Sequence, residues 1–129
     1  MKKPPTRRQL RNRDLLRECR RLIASNEKTP ISATDLAIKI AHGPAPRYYV
    51  EFDYGLRVLT RLSRGRTVKW KSDTIRRQWQ SLKSDVDKVC RRYNCSLSSA
   101  LARVLSDFAA PSFFIEPTTI YRVLTSRNP

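Results

Sequence analysis

Arginine supplies most of the side chains in this sequence that could do chemistry. Nineteen of the 27 basic residues are Arg; set against 11 carboxylates they leave a formal charge of +16 and a pI near 10.8. A guanidinium forks onto phosphate oxygens and guanine edges and stays charged at any working pH. A chain so charged repels itself, and a polyanion is the partner that would offset the repulsion. An anionic membrane, an acidic protein or a merely solubilising surface also fits a positive balance. Solubility, however, is usually reached with less charge of mixed sign.

The spacing of these residues sharpens the expectation. The first thirteen residues hold six basic side chains and no acid, Arg7, Arg8, Arg11 and Arg13 among them. They read as a basic arm for the backbone or the minor groove. Arg13, Arg17 and Arg20 then recur at i, i+4 and i+7, one face of a helix. Further along, Tyr54, Arg57, Arg61 and Arg64 fall at i, i+3, i+7 and i+10. An Arg-bearing outer face on a short helix is what major-groove reading requires, with Arg57 on a base edge and its neighbours on phosphates. Arg66 follows, and Trp70 stands between Lys69 and Lys71. An exposed Trp70 would stack on a base, and a buried one would cover the junction between two units.

Other chemistries are poorly served. His42 is the one histidine, with no Ser or Cys nucleophile patterned around it, and the carboxylates are scattered without metal-like pairing. Cys19, Cys90 and Cys95 are odd in number, lack a CxxC pair and lack finger-like spacing to His42. Three glycines leave no material for a phosphate cradle. The expectation is a binding protein rather than an enzyme, without metal or cofactor. No apolar run nears the ~20 residues of a membrane span, and no secretory apolar segment follows Met1. Reduced thiols then point to the cytoplasm, and to the nucleoid if the ligand is DNA.

An internal repeat organises the elements that must position these residues. Ala45-Pro-Arg-Tyr-Tyr-Val-Glu51 followed by Arg57-Val-Leu-Thr60 matches Ala110-Pro-Ser-Phe-Phe-Ile-Glu116 followed by Arg122-Val-Leu-Thr125. Leu36, Ala37 and Ile40 align with Leu101, Ala102 and Leu105 at the same offset. Beyond a length difference within 22–31, Cys19-Arg20-Arg21 meets Cys90-Arg91-Arg92, and Asp14 meets Asp85. Two copies are too few for an open solenoid, so a packed pseudo-twofold pair is expected.

Each copy parses into three helices. Helix one covers about Thr6–Asn26 with Leu15, Cys19, Leu22 and Ile23 inward, and Asp73–Tyr93 in the second copy. In that second helix Ile75, Trp79, Leu82, Val86, Val89 and Tyr93 form an apolar seam, which either packs the units together or makes a homodimer. Helix two spans about Ser32–His42 and Ser96–Phe108, with both serines as caps. Gly43-Pro-Ala-Pro46 stops the first of these. Helix three begins near Glu51 and Glu116, and Pro117 suits its first turn. On the first copy's helix three, Phe52, Leu56 and Leu59 should face inward.

The predicted fold is therefore mainly α. It comprises two tandem, pseudo-twofold, helix-turn-helix-like trihelical units, each with a short extended aromatic segment. The arm is 1–13, the units are 14–64 and 73–129, and 65–72 is a linker. Arg122 is the retained Arg of the second copy's helix three. In the extended segment Tyr48 and Tyr49 could stack on unpaired bases, but the second copy puts Phe at both places, which favours packing of the rings and makes the hydroxyls look dispensable. Arg47 becomes Ser112 there, which leaves Arg47 available to a phosphate.

The stretch Gly43-Pro-Ala-Pro-Arg-Tyr-Tyr-Val50 resembles a group of small uncharacterised bacterial proteins with a P-A-P-R-[FY]-[FY]-V motif, which implies a bacterial or phage origin and no particular function. The residues themselves point to nucleic acid, with duplex DNA favoured over RNA. RNA or ribosome association, and a structural assembly role through the apolar seam, are the alternatives.

Overall fold

A computed structural model describes residues 3–25 and 29–126. Helix α1 is Arg7–Ser25, α2 Ala33–Ala41, α3 Phe52–Ser63, α4 Asp73–Tyr93, α5 Leu97–Asp107 and α6 Pro117–Thr125. The protein is mainly helical, and the described residues contain no strand.

The helix ends follow from local chemistry. Ser32 and Ser96 cap α2 and α5, their hydroxyls accepting from the backbone N–H groups of Asp35 and Ser99. Pro117 occupies the first turn of α6, where its missing donor costs nothing. The starts of α1 and α4 fall where the sequence placed them, near Thr6 and at Asp73, but their caps were not foreseen. Ser72 accepts from the Ile75 N–H to cap α4. At α1, the Gln9 N–H donates to Thr6 Oγ1 at 3.1 Å while the Thr6 N–H donates to Gln9 Oε1 at 2.9 Å, a reciprocal capping box. The S/T-x-x-E/Q spacing was there to be read.

That box corrects the basic arm. Helix α1 begins at Arg7, so Arg7, Arg8, Arg11 and Arg13 are helical. Met1 and Lys2 lie outside the described residues, as do Asn26 at the expected end of helix one and residues 127–129.

The helices gather into two compact units that do not follow the repeat boundaries. One comprises residues 1–45 with 111–129, the other residues 46–110. In the first, α6 packs on α2 and α1; its buried side chains include Leu15, Leu22, Leu36, Ala37, Ile40, Phe113 and Ile120. In the second, α5 packs on α4 and α3, around Trp79, Leu82, Val86, Val89, Leu101, Val104, Val58 and Leu59. Each unit thus takes two helices from one copy, and its third helix with the aromatic segment before it from the other. The expected units 14–64 and 73–129 are replaced by these composites, and 65–72 is not a linker between units. It joins α3 to α4 within one of them.

The apolar seam is corrected with the boundaries. Trp79, Leu82, Val86 and Val89 are buried and belong to a unit in which α4 is covered by α5. Ile75 is half-buried and only Tyr93 is exposed, with Arg103 seated over its ring at 4.2 Å. A homodimer through these residues would have to open that core. Ile23, expected inward on α1, is 52% exposed.

Gly55 explains how α3 reaches α5. A Cβ there would lie 3.0 Å from Val50 Cγ1 and 3.5 Å from Leu101 Cδ2, so glycine permits the close approach. The inward face of α3 accordingly centres on Gly55, Val58 and Leu59, while Phe52 and Leu56 are half-buried.

Candidate nucleic-acid interface

Helix α3 presents the stripe that its spacing predicts. Tyr54, Arg57, Arg61 and Arg64 are all exposed, opposite the buried Val58 and Leu59. At 1.5 Å per residue the stripe runs about 15 Å. Its lower end is shaped by a Schellman turn. Gly65 adopts φ +72°, its N–H donates to the Leu62 carbonyl at 3.1 Å, and the Arg66 N–H donates to the Arg61 carbonyl at 3.0 Å. The chain thereby doubles back, and Arg66 joins the stripe. Arg57, Arg61, Arg64 and Arg66, with Leu56 and Thr60, line a concavity of about 350 Å³.

After this turn, residues 66–70 are irregular, with an alternation that needs no strand. Val68 and Trp70 are half-buried, whereas Lys69 and Lys71 are exposed. Trp70 stacks on the buried Trp79, ring centroids 6.2 Å apart and planes 15° apart. Tyr54 meets the same Trp79 edge-on at 5.7 Å and remains 56% exposed. Trp79 therefore anchors an aromatic from each side of the basic segment. Residues 54–71 carry six basic side chains and no acid.

Carboxylates engage other cations. Among the described residues, ion pairs join Arg17 to Asp14, Arg21 to Glu18, Arg76 and Arg77 to Asp73, and Lys83 to Asp87. Among the described residues, no ion pair involves Arg57, Arg61, Arg64, Arg66, Lys69 or Lys71.

The remaining candidates are distributed differently. On α1, Arg8, Arg13, Arg17 and Arg20 are exposed and Arg7 and Arg11 half-buried; Arg11 donates to Asn12 Oδ1. Arg17 lies 3.9 Å from the buried Asp14. Burial pushes the Cys19 thiol up, with the nearby Arg20 pulling it part of the way back. Burial also raises Cys90, helped by Cys95 and Asp87. Neither environment produces a nucleophilic thiolate. Arg47 is half-buried beside Tyr48 in the extended segment. Arg122 is exposed but lines an apolar groove with Ala37, Ile38, Pro117 and Tyr121, unlike the arginine-lined surface around its counterpart Arg57. Among the described residues, no three His, Cys, Asp or Glu side chains are grouped as metal ligands would be.

Tyr48 departs from its expected role. The ring is core, 1% exposed, but the hydroxyl is engaged as well. It donates to Asp85 Oδ2 at 2.7 Å and shares a 2.6 Å hydrogen bond with Ser81 Oγ. Burial, together with the adjacent Asp85, pushes the phenol well above its ordinary range, although the Ser81 bond opposes the shift. Tyr49 is half-buried.

No described helix is long and apolar enough to cross a membrane. Comparison with protein-family models, curated proteins and solved structures gives no match for this chain.

Proposed function

We propose that this protein binds nucleic acid, and that its principal contact surface is the segment from Tyr54 to Lys71. The observation that supports this reading is the concavity lined by Arg57, Arg61, Arg64 and Arg66, four guanidinium groups with no carboxylate among the described residues that line it. Holding like charges together costs free energy in the isolated protein, and a row of phosphates offsets that cost. Lys69 and Lys71 extend the same positive tract. The α1 cations Arg8, Arg13 and Arg20 offer secondary phosphate contacts, and Arg122 a lesser one.

Duplex DNA is the ligand that the sequence favours, with α3 as the major-groove element. The aromatic pair beside the stripe favours a second reading, a ligand with accessible bases such as RNA.

Salt dependence tests the proposal. If the six basic residues each neutralise one phosphate, log affinity should fall against log salt with a slope of about −5 on duplex and about −4 on a single strand. Arg57→Ala with Arg61→Ala should flatten that slope by about 2 on duplex. Absence of binding to DNA and RNA at low ionic strength would end the proposal.

A further inference from the structure

Resting on the proposed nucleic-acid reading, we infer that the segment from Tyr54 to Lys71 takes a strand with unpaired bases, whose bases stack on Trp70 and Tyr54 while its phosphates lie along the arginines. Three observations lead there.

The first is the anchoring of the aromatics. Trp79 is buried, Trp70 lies nearly parallel on it and Tyr54 abuts it edge-on. Both outer rings are held by one buried ring, yet neither is itself buried. A ring fixed in advance loses little freedom when a base stacks on it, and every base offers a π-face. Bases inside a duplex already stack on their neighbours, so such a platform serves unpaired ones.

The second is interleaving. Lys69 and Lys71 are exposed on either side of Trp70, and Tyr54 heads the stripe that continues through Arg57, Arg61 and Arg64. Base and phosphate contacts therefore alternate along one stretch of surface, as a strand's own groups do.

The third is shape. The arginines line a concavity, because Gly65 folds Arg66 back toward the last turn of α3. A helix that enters a major groove must protrude, whereas a guanidinium-lined hollow receives a backbone.

The test uses the full chain and four probes: DNA and RNA single strands of roughly 15 nucleotides, the blunt duplex of the DNA strand, and an abasic strand with the same phosphates. The single strands should bind more tightly than the duplex or the abasic strand. Tyr54→Ala and Trp70→Ala should each weaken binding of the base-bearing strands about tenfold, with duplex and abasic binding unchanged. Trp70→Phe keeps a ring on Trp79 and should retain most of the affinity, which separates stacking from loss of packing. Arg61→Ala should weaken all four probes. Preference between the DNA and RNA arms identifies the sugar. A tighter duplex, equal binding of the abasic strand, or equal losses from Tyr54→Ala on every probe would overturn the inference while leaving the nucleic-acid reading intact. Failure of all four probes to bind would remove both.

Discussion

Tyr48 and Phe113 occupy equivalent places in the two copies, yet only one of them carries a hydroxyl, and that hydroxyl is paired with Asp85 and Ser81. Comparing the copies makes the hydroxyl look dispensable, because the comparison cannot show where a carboxylate from another helix arrives. Tyr48→Phe should lower stability by about 1 kcal/mol, as the half-buried Asp85 carboxylate loses a donor; urea denaturation at neutral pH measures it. The same group sets an alkaline limit. Below its ordinary value of 10.0 the phenol is protonated in both folded and unfolded chains, so it contributes no pH dependence. Above that value the unfolded chain ionises first, and stability falls as pH rises. Denaturation midpoints at pH 9 and pH 11 should therefore converge in Tyr48→Phe relative to the wild type.

Helices were the most legible feature of this sequence, because periodicity and caps are written within a dozen residues. Ser32, Ser96 and Pro117 marked starts that the structure keeps. The outward stripe of α3 was equally readable, since arginines at helical spacing opposite Val58 and Leu59 allow one orientation. The inner face was less so. Gly55 sits at its centre, and a glycine leaves no mark in an apolar pattern although its lack of a side chain is what α5 needs. Trp70 resisted prediction for a related reason: its packing depends on Trp79, whose place is set by tertiary structure. Gly65 does leave a signature, a glycine just past a helix end. Gly65→Ala meets no atom within 4 Å, so its effect should come from the left-handed backbone alone, about 1–2 kcal/mol. If the turn relaxes to avoid that strain, Arg66 leaves the concavity. Thermal unfolding and a salt titration with nucleic acid should then change together in this variant.

For the whole molecule the sequence was least informative. A repeat declares that two stretches are alike, but periodicity does not say which copy's third helix completes which unit. Here α6 completes the unit of α1 and α2, and α3 that of α4 and α5. Cutting the chain at 65–72, where composition invites a domain boundary, should leave both units incomplete. Ending it after Ala110 should be less damaging: the 46–110 unit retains all its helices, while α1 and α2 lose the helix that covers them. Amide hydrogen exchange should show protection kept in α4 and α5 and lost in α1 and α2. Protection retained equally in all of them would mean that α6 is not needed.

This composite arrangement also orders events at the ribosome. Helices α1 and α2 are translated before the 46–110 unit, but α6, which completes their core, is translated after it. Until then Leu36, Ile40 and Leu15 await Ile120, while the 46–110 unit can already close around its own helices. The 46–110 unit is thus expected to mature before the unit that flanks it, with the basic α1 unfinished until α6 has emerged.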